Sequence, residues 1–247
     1  MPMQSPEHIK PYDGERPKTE QVEQMFDSIA PAYDFMNRAM TFGIDRRWRR
    51  IAVDMVARNP HDRILDIATG TGDLAMLLAR RTRATHITGL DLSEGMIDIG
   101  RRKIERAGLA GRIELICGDS LAMPFDSGSF DAITVAYGVR NFADLLAGYR
   151  EMARVLKPGG TLTVIELSTP ASPVVRPFYR LYTRHIIPLM GRMVSKDVRA
   201  YSYLPESIAA VPQRADMTAL MEQAGFTDTA WRTLTFGTCA IYTGRRP

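Results

Sequence analysis

The sequence predicts an α/β fold: a doubly wound sheet, mostly parallel, that ends in a C-terminal antiparallel hairpin. Three observations predict it. Between residues 62 and 168, short apolar runs alternate with amphipathic stretches of crossover-helix length, the pattern of strands joined through helices. A glycine-rich turn follows the first run directly. Two strand-like runs close the chain, 227–234 and 238–243, joined at Phe236-Gly237.

The first strand is expected at 63–67 (Arg-Ile-Leu-Asp-Ile), and the turn after it opens a helix over 74–80. The second strand runs over 86–92 and carries Asp91 at its end. Ser93 is a helix cap residue, with Glu94 in the first turn of a helix reaching about residue 107. The third strand covers 112–117 and leads into Gly118-Asp119. The fourth covers 130–136. A helix over 144–156 is stopped by Lys157-Pro158-Gly159-Gly160, and the fifth strand covers 161–166.

Outside this unit, residues 1–19 form a flexible N-terminal arm, and 20–247 form a single domain. Its first part, 20–58, is a helical cap. Val22, Met25, Phe26 and Ile29 recur at helical spacing until Pro31 breaks or kinks the helix. A second helix over 44–58 turns Trp48, Ile51 and Met55 inward and Arg46, Arg47, Arg49 and Arg50 outward. Residues 170–212 are a helical insertion or lid, and a further helix covers 217–224.

With 247 residues, 45% hydrophobic and 24% charged, the chain has the composition of an ordinary globular protein. No apolar run approaches the roughly 18 residues of a membrane span, and the start lacks the apolar core of a signal peptide, so the expected location is the cytoplasm. Cys117 and Cys239 have no metal or disulfide spacing, and each sits in an apolar run as a small core residue. A net charge of +4 permits an anionic partner without requiring one.

The turn Asp66-Ile67-Ala68-Thr69-Gly70-Thr71-Gly72-Asp73 satisfies the loose Gly-x-Gly-x-x-Ala nucleotide pattern, and Asp91 follows Gly72 by 19 residues. This much fits NAD as well as S-adenosylmethionine. Charge separates the two. A pyrophosphate at a helix N-terminus needs bare amides and positive potential, whereas Asp73 stands in that first turn and Asp66 nearby. S-adenosylmethionine presents a sulfonium and an ammonium, which carboxylates attract. Asp91, with Leu92 beside it, is placed to accept from two ribose hydroxyls, and Asp119 from an adenine amino group, with the Ser120 amide adjacent. The expected cofactor set is therefore Asp66, Thr69, Gly70, Thr71, Gly72, Asp91, Leu92, Asp119 and Ser120.

With these residues in place the chain resembles the class I methyltransferases of Rossmann-like fold, and among them the ubiquinone/menaquinone biosynthesis C-methyltransferases. The resemblance rests on Tyr33-Asp34-Phe35-Met36-Asn37 with Trp48 beyond it, on Tyr137-Gly138-Val139-Arg140-Asn141, and on Arg154-Val155-Leu156-Lys157-Pro158-Gly159-Gly160 continuing to Glu166-Leu167-Ser168. Tyr201-Ser202-Tyr203-Leu204-Pro205-Glu206-Ser207 and Thr235-Phe236-Gly237 extend it. Thr41, Asp45 and Ala136 stand where the family usually has Ser, His and Ser. The resemblance implies cofactor contacts at Thr71, Asp91 and Asp119–Ser120. It also implies C-methylation of a polyprenylated quinol ring: demethylmenaquinol to menaquinol, or alternatively the 2-methoxy-6-polyprenyl benzoquinol of ubiquinone biosynthesis.

Methylating a ring carbon requires in-line placement, loss of a ring hydroxyl proton and exclusion of water. At the end of the fourth strand, Arg140 is placed to stabilise the phenolate and Asn141 to bond a ring oxygen; Tyr33, from the cap, is placed to orient the ring hydroxyl. These three form the expected catalytic group, with His185 as a second candidate base and no cluster of metal-ligand spacing. In the insertion, 174–194 mixes apolar residues with Arg176, Arg180, Arg184 and Arg192, giving either an amphipathic surface for anionic lipid at the inner membrane face or a packed lid with a solvated basic face. An isoprenoid quinol is the expected partner and nucleic acid is not, since neither an Asn/Asp-Pro-Pro-aromatic turn nor an aromatic-interleaved basic platform is present. A homodimer remains open. The rival outside the enzymes is a scaffold for a quinone-making assembly that keeps the pocket without turnover.

Overall fold

The computed structural model describes residues 6–59, 61–194 and 197–247. Seven strands form one sheet in the order β3-β2-β1-β4-β5-β7-β6. They are β1 (Arg63–Ile67), β2 (His86–Asp91), β3 (Ile113–Cys117), β4 (Phe130–Ala136), β5 (Leu156–Leu167), β6 (Thr227–Leu234) and β7 (Cys239–Arg245). The first five pair in parallel; β7 runs antiparallel to both β5 and β6. The chain winds outward from β1 through β2 to β3, then returns to β4 on the other side. This reversal opens a crevice at the carboxyl ends of β1 and β4, the ligand position in such sheets.

Ten α-helices accompany the sheet among the described residues. The cap holds α1 (Lys18–Ile29), α2 (Tyr33–Met40) and α3 (Asp45–Val56). The crossovers are α4 (Asp73–Arg81), α5 (Glu94–Arg106) and α6 (Leu145–Val155). The insertion holds α7 (Val175–Leu181), a π-helical turn (Tyr182–Ile186), α8 (Ile187–Val194) and α9 (Val198–Ala210), and α10 (Ala215–Gln223) precedes the hairpin. Local chemistry sets these boundaries. Ser93 and Asp144 cap α5 and α6 by accepting from the amides of Met96 and Ala147. Pro31 falls in a short 3-10 segment, Ala30–Ala32, that separates α1 from α2 as expected.

The period of two in β1 divides the core. Leu65 and Ile67 face the side of Tyr149, Met152, Met217 and Met221; Ile64 faces the side of Val53, Leu78 and Ile97. Asp66 shares Ile64's parity, which aims it toward α3 and α4. A third cluster joins Met25, Ile29 and Met36 of the cap to Ile187, Ala200, Tyr201 and Tyr203 of the insertion. Cap and insertion therefore pack against each other, and Tyr182 reinforces them by donating its hydroxyl proton to the Met40 carbonyl at 2.8 Å.

Three local expectations are corrected. The buried face of α3 is Asp45, Trp48, Arg49, Ala52, Val53 and Val56, so Arg49 lies inside rather than on the solvated arginine face. An i,i+4 ion pair with Asp45 lets it be buried. Strand β5 begins at Leu156: Lys157-Pro158-Gly159-Gly160 ends α6 but continues as extended chain, with a register irregularity opposite Phe130 and Ala132. Cys117 is exposed because it ends an edge strand, whereas Cys239 is buried as expected.

Of the N-terminal arm, residues 1–5 lie outside the described residues. Lys18 holds the rest, its ammonium donating to the Pro6, Arg140 and Phe142 carbonyls at 2.8, 3.2 and 3.0 Å. Burial brings its pKa down to about 8.

Candidate active site

Two cavities meet at the crevice. The first is a cleft lined by Gly70, Asp91, Leu92, Asp119 and Ser120 from the strand-end loops, by Phe26 and Tyr33 from the cap, and by Tyr137 and Asn141 from the loop after β4. Asp91 is fixed at the end of β2: the Gly70 amide donates to its Oδ2 at 2.7 Å and the Ser93 amide to its Oδ1 at 3.0 Å. Burial raises its pKa, and these amides pull the other way. Asp119 accepts from the Leu121 amide at 2.9 Å. Gly138 lets the β4 loop approach the β1 loop, since a Cβ there would stand 2.4 Å from that of Ala68. Gly70 takes the left-handed conformation, φ 56°, that turns its amide toward Asp91.

The cleft's lining includes two carboxylates and no Lys, Arg or His. A pyrophosphate would find no cation there. A ligand carrying a sulfonium and an ammonium, with ribose hydroxyls and an amino group to donate, matches these acceptors, so the residues fit S-adenosylmethionine.

The other expected cofactor residues lie elsewhere. Asp66 accepts from the Thr69 and Thr134 hydroxyls at 2.6 and 2.7 Å, and burial moves its pKa up to about 6. Asp73 is paired with Lys103 at 2.6 Å, with Arg49 at 4.0 Å. Burial acts to raise Asp73, but these cations outweigh it and hold the carboxyl below its usual range. The Thr71 hydroxyl donates to Asp34 at 2.6 Å and accepts from Lys103 at 2.9 Å. Thr71 and Asp73 thus belong to a charged latch between α2, α4 and α5, and Gly72 is the left-handed N-cap of α4. Of the four carboxylates, Asp91 and Asp119 line the cleft, and Asp66 and Asp73 line a small adjoining cavity that shares Tyr33, Ala68 and Ala136 with it.

The second cavity, about 510 Å³, is enclosed by the cap, the insertion and the hairpin turn. That lies within the size of small-molecule sites. Met40, Ile44, Trp48, Leu167, Ile187 and Leu204 supply apolar surface; Arg49 and Arg140 supply positive charge. Tyr33 and Tyr137 line both cavities and form their common wall. Tyr33 packs edge-on against Phe26, centroids 6.1 Å apart, and burial raises its pKa. Tyr137 has φ 61°, carries the Arg49 guanidinium 5.3 Å from its ring centroid, and has a buried hydroxyl with no hydrogen-bond partner among the described residues.

Arg140 is buried and bonds Glu166 Oε1 through Nη1 at 2.8 Å and the Tyr137 carbonyl; its Nε has no partner among the described residues. Desolvation works against its charge, yet Glu166 more than compensates, so Arg140 stays protonated. Asn141 Oδ1 accepts from Tyr203 at 3.2 Å. Of the expected catalytic group, Arg140 faces the second cavity, Asn141 the cleft and Tyr33 both. His185 is exposed and lines neither. Arg49 and Tyr137 escaped the sequence reading as site residues, although Asp45 four residues before Arg49 was a usable sign of a paired, buried arginine.

Sheet order, switch-point cleft and cleft charge together define a class I S-adenosylmethionine-dependent methyltransferase. Known proteins agree. The model of the ubiE/COQ5 methyltransferase family matches residues 15–246, and the chain belongs to that family. It is 45% identical over 240 residues to a Bacteroides fragilis protein named demethylmenaquinone methyltransferase, covering 97% of this chain and 98% of that one. A Porphyromonas gingivalis protein of the same name is 46% identical over 98% of this chain and 99% of its own. A Geobacter sulfurreducens protein named ubiquinone/menaquinone biosynthesis C-methyltransferase UbiE is 45% identical over 93% and 90%. Among solved structures, a SAM-dependent methyltransferase of Thermotoga maritima superposes with TM-score 0.65 at 19% identity, covering 91% of this chain and 99% of that one. The cyclase SpnF superposes with 0.68 at 20% identity, covering 94% and 98%. That a cyclase shares the fold shows that fold alone does not set the chemistry.

Proposed function

We propose that this enzyme methylates a ring carbon of demethylmenaquinol, giving menaquinol. The observation that carries the reading is the common wall: an apolar cavity with a buried arginine meets the cofactor cleft at Tyr33 and Tyr137. Names of relatives at about 45% identity support the naphthoquinol nucleus.

When bound, the cofactor supplies an electrophilic methyl group on its sulfonium. Asp91 would hold its ribose hydroxyls and Asp119 its adenine amino group. Arg140 holds positive charge at the cavity wall, where it stabilises the phenolate left when a ring hydroxyl loses its proton; that charge makes the ring carbon nucleophilic. Tyr33, kept neutral by burial, donates to a ring oxygen and orients it. Asn141 and Tyr203 fix the loop after β4. The cap and insertion keep water from the reacting centre. After transfer the neutral dienone tautomerises: the ring carbon gives up its proton and the ring oxygen takes one up, restoring the aromatic quinol, so the hydroxyl proton lost at the start is the one proton released to solvent per turnover.

The test is transfer from labelled cofactor to reduced demethylmenaquinone and to the benzoquinol of the ubiquinone pathway, side by side. Faster transfer to the naphthoquinol supports the reading; preference for the benzoquinol overturns the choice of nucleus.

The insertion supports a second reading, contact with a lipid surface. Val174, Phe178, Leu181, Ile186 and Leu189 are exposed, Phe178 by 71%. Arg180 and Arg184 are exposed beside them. Arg176 donates instead to the Pro170 and Ala171 carbonyls, and the Arg192 side chain lies outside the described residues. Among the described residues no helix is long and apolar enough to cross a membrane. A peripheral position suits these features.

A further inference from the structure

A third cavity, about 640 Å³, lies within the insertion, between the stretch from α7 to α8 and α9. It shares Tyr179, Thr183 and Ile208 with the 510 Å³ cavity, so these residues form a partition between the two. Beyond the partition Pro188, Pro205 and Ala209 supply apolar surface, while Thr169, Ser202 and Glu206, with Arg180 and Arg184, supply polar and charged groups. We propose that this cavity is the subsite for the polyprenyl tail of the substrate. The inference rests on the quinol reading above and extends it from the ring to the chain.

The partition is suited to apolar chain. Thr183 spends its hydroxyl proton on the Tyr179 and Arg180 carbonyls at 3.0 and 3.3 Å, so that proton does not need a polar ligand. It stands in the π-helical turn Tyr182–Ile186, a backbone irregularity of the kind that opens side-chain spacing at ligand sites. Ile208 is buried and apolar. Proline rings and the alanine methyl on the far side offer no donor or acceptor from their side chains. A bicyclic ring placed at Arg140 leaves its tail to run past this partition. The exposed Arg180 and Arg184, which also line the third cavity, then stand where the tail reaches the lipid surface, with their charge toward phosphate.

Ala209 is exposed and lines the third cavity but not the second, so Ala209→Trp fills the subsite without touching the ring cavity. With demethylmenaquinol carrying a long tail, KM rises about ten-fold or more; with the tail-less quinol, KM and kcat stay within about two-fold. Equal effects on both substrates, or none on either, overturn the subsite while leaving the quinol reading intact. A wild-type enzyme that binds cofactor but methylates neither quinol defeats the quinol reading itself, and the subsite with it. A second measurement needs no variant. A quinol bearing a diazirine on its second isoprene unit is expected to label segments 179–188 and 202–209 of the wild-type enzyme on irradiation. Label confined to the cap around Phe42 and Gly43, which line the ring cavity but not the third cavity, overturns the proposal.

Discussion

Arg140 and Glu166 form a buried ion pair, to which the proposed mechanism gives a part in chemistry as well as in stability. Glu166 is 1% exposed and accepts from Arg140 Nη1, the Arg140 amide and the Leu167 amide. Removing only the arginine strands that carboxylate. Arg140→Ala is therefore expected to lose about 3–5 kcal/mol of unfolding free energy in urea titrations. Arg140→Met with Glu166→Gln recovers most of that stability, yet kcat stays about 10²–10³-fold down, since the charge at the phenolate is gone. Recovery of turnover together with stability would make the pair purely structural. Asp66 is a residue of another kind. Its pKa of about 6 lies above the roughly 3.9 of an unfolded aspartate, so the folded state holds the proton more tightly. The sign follows: its favourable contribution is complete below about pH 4 and is lost as pH rises through 6, about 3 kcal/mol in all. The difference in stability between wild type and Asp66→Asn should fall over that window. A flat difference would show that Asp66 titrates normally.

At the scale of elements, the strands and crossover helices were legible because their periodicity is forced by the sheet. Ile64 and Leu65 must face opposite cores, and Ser93 must satisfy the start of α5. The face of α3 was legible only in part, through Asp45 four residues before Arg49. An arginine reads as solvent-exposed unless its partners are known, and Arg49 is balanced partly by Asp73, 24 residues away, which only folding brings near. Long-range pairing with Lys103 likewise ties Thr71 and Asp73 into the contacts between α2, α4 and α5. The insertion carries a prediction of its own. Its exposed apolar face with Arg180 and Arg184 is expected to float the protein with vesicles rich in anionic lipid, less with neutral vesicles, and less again at high salt. Absence from both vesicle fractions would remove the membrane reading.

Across the whole molecule, the doubly wound sheet supplies the cofactor cleft, and the added parts supply what distinguishes this enzyme. Cap, insertion and hairpin turn enclose the ring cavity: Trp48 donates to the Thr235 hydroxyl at 2.8 Å, and the Ser168 hydroxyl donates to the Gly237 carbonyl at 2.8 Å. This gives physical content to the motifs at 166–168 and 235–237, which sequence alone could recognise only as a resemblance. The cavity itself was not legible, because it is bounded by segments far apart in the chain. That methyl transfer occurs at the wall formed by Tyr33 and Tyr137 is the central claim. Its most direct measurement supplies purified enzyme with cofactor carrying an isotopic methyl label and with reduced demethylmenaquinone, then locates the label in the product. Label is expected on the ring carbon, with one equivalent of S-adenosylhomocysteine formed. Cofactor binding without transfer, or label on a ring oxygen, would contradict it.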